Sequence, residues 1–148
     1  MEPLKSETVS ADPKGCRLFE FPAFTDRRGT LSFVEEGRHI PFDLRRIFYL
    51  YDVPAGEKRA AHALTKCQQC LIAMAGEFDV LLDDGFLQKT YHLDRPHLGL
   101  YVPAMVWREL LNFSPGAVCL VLASEFYDPD DYFEDHELFL KTVGGKPR

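Results

Sequence analysis

Residues 56–64 read Gly-Glu-Lys-Arg-Ala-Ala-His-Ala-Leu, placing one imidazole, His62, in a run of strand-like residues. Imidazole titrates near working pH, so His62 is a candidate general base or acid; a histidine satisfied by its neighbours inside a β structure is the other reading. Positions two apart in a strand share a face, which predicts His62 and Leu64 side by side, one able to move a proton and the other not. Cys67-Gln68-Gln69-Cys70 has the spacing of zinc and redox sites, which need both sulfurs on one side of a turn or helix start. In strand-like sequence residues three apart point to opposite faces, and no second Cys or His pair lies nearby to complete four ligands. Ordinary buried cysteines are therefore expected.

Charge narrows the partners. The net charge of -6 argues against broad nucleic-acid or anionic-membrane binding. Yet eleven of the seventeen basic residues precede Cys67, among them Arg27, Arg28, Arg38, Arg45, Arg46, Lys58 and Arg59. Asp128, Asp130, Asp131, Glu134, Asp135 and Glu137 crowd the other end. A local basic site for a small anion is compatible with this acidic chain. No run approaches the roughly 18 apolar residues that span a bilayer, and Met1 to Lys14 is polar, without a signal peptide's apolar stretch. The expectation is a cytoplasmic protein with a flexible tail over residues 1–14 and one domain over 15–148, its four cysteines reduced.

The elements that must position these residues are short. Segments rich in β-branched and aromatic residues alternate with turn signals, as in an all-β sandwich or barrel. Strands are predicted at 16–21, 30–35, 45–53, 59–66, 69–75, 77–82, 86–92, 98–102, 106–113 and 117–124. Asp83-Asp84-Gly85 and Ser114-Pro115-Gly116 mark tight turns. Asp128-Pro129-Asp130-Asp131 reads as a capped helix start, predicting a terminal helix from Tyr132 to Val143 that Gly144-Gly145 ends.

Gly56, His62 and Gly76 resemble the first motif of the cupin superfamily. Leu64 stands where the second motif histidine would be, and the acidic position falls at Gln68 or Gln69. The second motif places Gly99, Pro103 and Asn112, with Arg108 in place of a metal-binding His. Divalent metals need converging imidazole, carboxylate or thiolate donors, which Leu and Arg do not supply.

A closer resemblance runs from Phe19 to Leu140. Asp26-Arg27-Arg28-Gly29-Thr30-Leu31, Ile40-Pro41-Phe42 with Arg45-Arg46, Arg59 to Ala63, Gln69, Gly76 and Asp83-Asp84-Gly85 begin it. Gly99-Leu100-Tyr101-Val102, Val106-Trp107, Leu122-Ala123-Ser124, Tyr127-Asp128 and Asp131-Tyr132 continue it. The chain resembles the sugar 3,4-ketoisomerases of the WxcM-like cupin group, which act on thymidine diphosphate (dTDP)-linked 4-keto-6-deoxyhexoses in deoxyamino-sugar biosynthesis. The resemblance implies a cupin (jelly-roll) β-barrel with a short C-terminal helix, a homodimer, no metal and no cofactor. It implies a ketone moved from sugar carbon 4 to carbon 3 through an enediol. His62 and Arg108 are then the candidate catalytic residues. Arg28, Arg46, Arg59 and Gln69 are candidates to bind the dTDP-ketosugar, and Tyr49, Tyr51, Tyr101 and Trp107 to pack on sugar or thymine. Active members carry histidines at both the His62 and Leu64 positions. Two alternatives therefore stay open, a nucleotide-sugar-binding homologue with impaired catalysis and an epimerase of a related ketosugar.

Overall fold

A computed structural model describes residues 11–148. Its elements in chain order are β1 (Arg17–Glu20), β2 (Ala23–Asp26), β3 (Gly29–Ser32), β4 (Arg46–Leu50), β5 (Arg59–Leu64), β6 (Gln69–Ala75) and β7 (Phe78–Asp83). There follow β8 (Gln88–Leu93), β9 (Leu98–Val102), β10 (Trp107–Leu111), β11 (Val118–Ala123), β12 (Tyr132–Phe133) and α1 (His136–Val143). The class is all-β, as expected.

Two five-stranded antiparallel sheets form, in the orders β1-β9-β6-β11-β4 and β12-β5-β10-β7-β8, while β2 and β3 pair only with each other. From β4 onward nearly every connection carries the chain from one sheet to the other; the β7–β8 hairpin is the exception. Leu71, Leu100, Cys119 and Val121 of the first sheet meet Phe78, Val80, Leu82 and Leu110 of the second in one buried cluster. These are alternate positions of their strands, so each sheet buries one face against the other.

At the tight β7–β8 turn, the backbone N–H groups of Phe86 and Leu87 both donate to the Asp84 carboxylate at 2.8 Å. Gly76 and Gly99 mark close approaches. A Cβ on Gly76 would stand 2.8 Å from the Ala117 Cα, and one on Gly99 2.5 Å from the Cys70 sulfur. The four cysteines are free and buried, and Cys67, in the β5–β6 connection, and Cys70, on β6, belong to different apolar clusters.

The terminal helix differs from expectation. Asp128 caps only a single 3-10 turn, Pro129–Asp131, by accepting from the Asp130 N–H. Tyr132 and Phe133 then pair with Leu64 and Ala63 as a strand. The helix begins at His136, where Asp135 accepts from the Leu138 N–H. Two acidic caps seven residues apart each satisfy the first-turn donors that a helix start exposes, and only the second opens an α-helix. Sequence reading also missed β2, whose residues Ala23–Asp26 pair with β3 through a turn at Arg27-Arg28.

Of the tail expected over residues 1–14, residues 1–10 lie outside the described residues. Asp12 accepts hydrogen bonds from Tyr91 Oη and, at 3.0 Å, from Lys89 Nζ. At the other end Arg148 donates to both oxygens of the fully buried Asp83, at 2.8 and 3.1 Å. His136 Nε2 lies 3.0 Å from the same carboxylate. No helix among the described residues is long and apolar enough to cross a membrane.

Candidate active site

Strands β4, β5, β6, β10 and β11 converge on an open cavity of about 480 Å³. His62 of β5 stands directly across the ladder from Arg108 of β10. The register shifts at the next step, where Glu109 pairs with Ala60 and Ala61 is left over as a bulge. Ala60 and Ala61 take φ of 68° and 58°, the left-handed region, which costs an alanine roughly 1–2 kcal/mol. Ala60 and His62, two apart, share the face toward the cavity, and both line it. Strain of this kind collects at functional sites.

The electrostatics separate a base from a cation. Burial, and then the Arg108 charge, push the His62 pKa down to about 4, so the ring is neutral at pH 7. A hydrogen bond to the Ala60 backbone acts the opposite way, as a ring N–H given to a carbonyl does, leaving the other ring nitrogen its lone pair. The Tyr132 ring stacks edgewise on His62, with centroids 4.9 Å apart. Arg108 is 1% exposed. Burial lowers its pKa to about 10, and it stays charged. Its Nη1 donates to Gln69 Oε1 at 2.8 Å and its Nη2 to the Val106 carbonyl at 3.0 Å.

Among the described residues no carboxylate lies within ion-pair distance of Arg108. A buried cation without a counter-anion costs several kcal/mol, a cost that an incoming anion or a developing oxyanion removes. Three buried nitrogens, Arg46 Nε, Gln69 Nε2 and Arg108 Nε, have no hydrogen-bond partner among the described residues, and all three side chains line this cavity. Buried donors are nearly always satisfied, so three orphans around one cavity mark a place built for acceptor oxygens. Arg46 lies over the rings of Phe48 and Tyr127, at 5.0 and 5.7 Å. One imidazole among guanidinium and amide donors does not fit a divalent metal. Glu77, His92 and Asp94 stand close enough together to share an ion, but all are exposed and none lines the cavity.

The sequence profile of the family described as FdtA: WxcM-like, C-terminal, matches residues 14–144. The chain belongs to this family. The TDP-4-oxo-6-deoxy-alpha-D-glucose-3,4-oxoisomerase of Aneurinibacillus thermoaerophilus is 39% identical over 127 residues, 86% of this chain and 91% of that protein. A 3,4-ketoisomerase from Helicobacter canadensis is 41% identical, with a TM-score of 0.85 over 88% of this chain and 98% of that one. The sugar 3,4-ketoisomerase QdtA from Thermoanaerobacterium thermosaccharolyticum, solved in complex with TDP, is 34% identical, with a TM-score of 0.86 over 88% and 96%.

In this WxcM-like chain five of the expected site residues line the cavity: His62, Arg108, Arg46, Arg59 and Gln69. The other five lie elsewhere in the described chain. Tyr49 lies between the inward Phe48 and Leu50 of β4, so it points outward, and it stacks on Tyr51 at 5.9 Å. Tyr101 joins the second apolar cluster with Phe42 and Phe19, and its hydroxyl donates to Gln68 Oε1 at 2.5 Å. Trp107, on the face of β10 opposite Arg108, is sandwiched by α1, stacking on His136 at 4.6 Å and donating to Glu109 Oε2 at 2.9 Å. Arg28 sits on the exposed β2–β3 hairpin, paired with Asp26 at 2.7 Å. Leu64, expected beside His62 at the site, is fully buried against Cys67 and Ala123. The alternation itself holds, with Ala61 and Ala63 together on the opposite face and Leu64 packed against the cavity residues Phe48 and Tyr132; the residue that lines the cavity beside His62 is Ala60. Phe48, Tyr127 and Tyr132 were missed. The alternation of β4 from Arg46 could have found Phe48; nothing local distinguishes Tyr132.

Proposed function

We propose that this chain is a nucleotide-sugar 3,4-ketoisomerase, converting dTDP-4-keto-6-deoxyglucose to a dTDP-3-keto-6-deoxyhexose in the cytoplasm. The observation that carries the reading is the pairing of neutral His62 with charged, counter-ion-free Arg108 across one step of the β5–β10 ladder. His62 takes the proton from carbon 3. The C–H electron pair becomes the C3–C4 double bond, and the carbonyl pair moves onto oxygen 4. Arg108 and the free amide of Gln69 supply donors for that oxyanion. Transfer of the oxygen-3 proton to oxygen 4 and protonation of carbon 4 complete the isomerisation, with no net oxidation. Arg46 and Arg59 at the mouth suit the diphosphate. This chemistry needs no cofactor.

The binding-only alternative rests on Leu64 standing in place of a second histidine, and no observation favours it over the isomerase reading. The position of Arg28, expected at the site, fits a homodimer. It rides on a hairpin paired only with itself, whose Phe24 and Leu31 are more than 60% exposed, an arm suited to reach the cavity of a second copy. Incubation with dTDP-4-keto-6-deoxyglucose in deuterium oxide tests the activity. Deuterium in the sugar and a 3-keto product are expected; no exchange and no product would overturn the reading.

A further inference from the structure

Ketone migration needs carbon-bound protons removed at one carbon and supplied at the next, and the cavity has no second imidazole. Ala60, two residues before His62 on β5 and also lining the cavity, carries no titratable group. The remaining titratable side chains at the cavity are Lys58, Tyr127 and Tyr132, apart from the guanidiniums. Lys58 is held at 2.8 Å by Glu109. Tyr127 lies at the exposed rim under the Arg46 guanidinium. Tyr132 differs from both. Its ring packs edgewise on the base, its hydroxyl has no hydrogen-bond partner among the described residues, and its backbone is tied to the strand of His62 through the Tyr132–Leu64 pair.

We infer that Tyr132 is the second proton carrier of the reaction, the phenol that protonates carbon 4. The inference rests on the ketoisomerase reading above. After His62 has taken the carbon-3 proton and the oxygen-3 proton has moved to oxygen 4, the C3–C4 double-bond pair takes the phenolic proton. A C4–H bond forms, and the oxygen-3 lone pair closes the new carbonyl. The phenolate then regains a proton from water and the imidazolium loses one to it, through the open mouth, so the cycle balances.

The test has two arms. In deuterium oxide Tyr132→Phe, which keeps the ring contact, should still exchange carbon 3 of the substrate while 3-keto product falls at least about 100-fold, the scale of one lost general acid. Equal loss of exchange and product, or loss of neither, overturns the inference. The second arm uses the unaltered protein and does not depend on the variant folding. With substrate deuterated at carbon 3 in ordinary water, single turnover should leave no label at carbon 4. Label carried from carbon 3 to carbon 4 would make His62 the only carrier and overturn the inference. An unaltered protein that neither exchanges nor isomerises would instead sink the ketoisomerase reading itself.

Discussion

Arg108 faces His62 across one ladder step and acts on it without being bonded to it: its charge helps to hold the imidazole unprotonated. The same guanidinium is placed to receive the negative charge that the base creates. In the proposed reaction this one buried cation would both keep the base unprotonated and stabilise the charge that it creates.

Because His62 has a pKa of about 4, kcat/KM should stay flat from neutral pH down to about pH 5 and fall with unit slope below about pH 4. A rate profile over that range checks it. An acid limb near 6.5 would mean that His62 is not the base.

The same shift affects stability. An unfolded chain holds histidine near 6.5 and binds the proton that folded His62 refuses between about pH 4 and 6.5. The stability tied to the neutral ring is complete above this window and is lost as pH falls through it, by up to about 3 kcal/mol. Denaturant titrations of the protein and of His62→Asn at pH 7 and 4.5 should show the difference shrinking.

Replacing Arg108 with Met should lower kcat by about 100-fold or more and raise the His62 pKa, moving the acid limb upward. The melting temperature should hold or rise, since an unpaired buried charge is gone. Collapse of the fold would show Arg108 to be structural.

Glycine at Ala60 or Ala61 should stabilise by about 1 kcal/mol, because it takes positive φ without strain. Leu64→His should instead destabilise by roughly 3 kcal/mol, burying an imidazole where the leucine is sealed in the core, and should add no activity. Urea midpoints and turnover rates decide between the two positions.

If the arm bearing Arg28 serves a second copy, Arg28→Ala and His62→Asn should each be inactive alone. Mixed after dissociation and refolding, they should recover up to about a quarter of full activity overall, since random assortment makes about half of the dimers mixed and each of these keeps one intact site. An active Arg28→Ala would place Arg28 outside catalysis, and two inactive variants without recovery would mean that Arg28 does not serve the second copy.

The strand pattern was legible where apolar and β-branched residues alternate. β6 and β9 fall at 69–75 and 98–102 as predicted, and other strands lie within a few residues. Of the candidates that the family resemblance implied, His62, Arg46, Arg59, Gln69 and Arg108 line the cavity. What failed was facing. Alternation put Leu64 on the face of His62, but Phe48 and Tyr132 cover it, so Ala60 is the neighbour that lines the cavity. Tyr49, Tyr101 and Trp107 suggested ligand contacts by type, but strand direction placed them on outer faces. Tyr132 was absorbed into a helix because the acidic cap before it looked the same as the one at Asp135.

The alternation of the chain between its two sheets has a kinetic consequence. The central strand β6 is flanked by β9 and β11, which arrive roughly 30 and 50 residues later. Neither sheet can be assembled from local hairpins alone. Loop closure over such separations must be met before pairing repays it, which slows folding of β-rich chains to milliseconds or seconds. The walls of the cavity should therefore form together, late and all at once, with His62 and Arg108 meeting only in that final step.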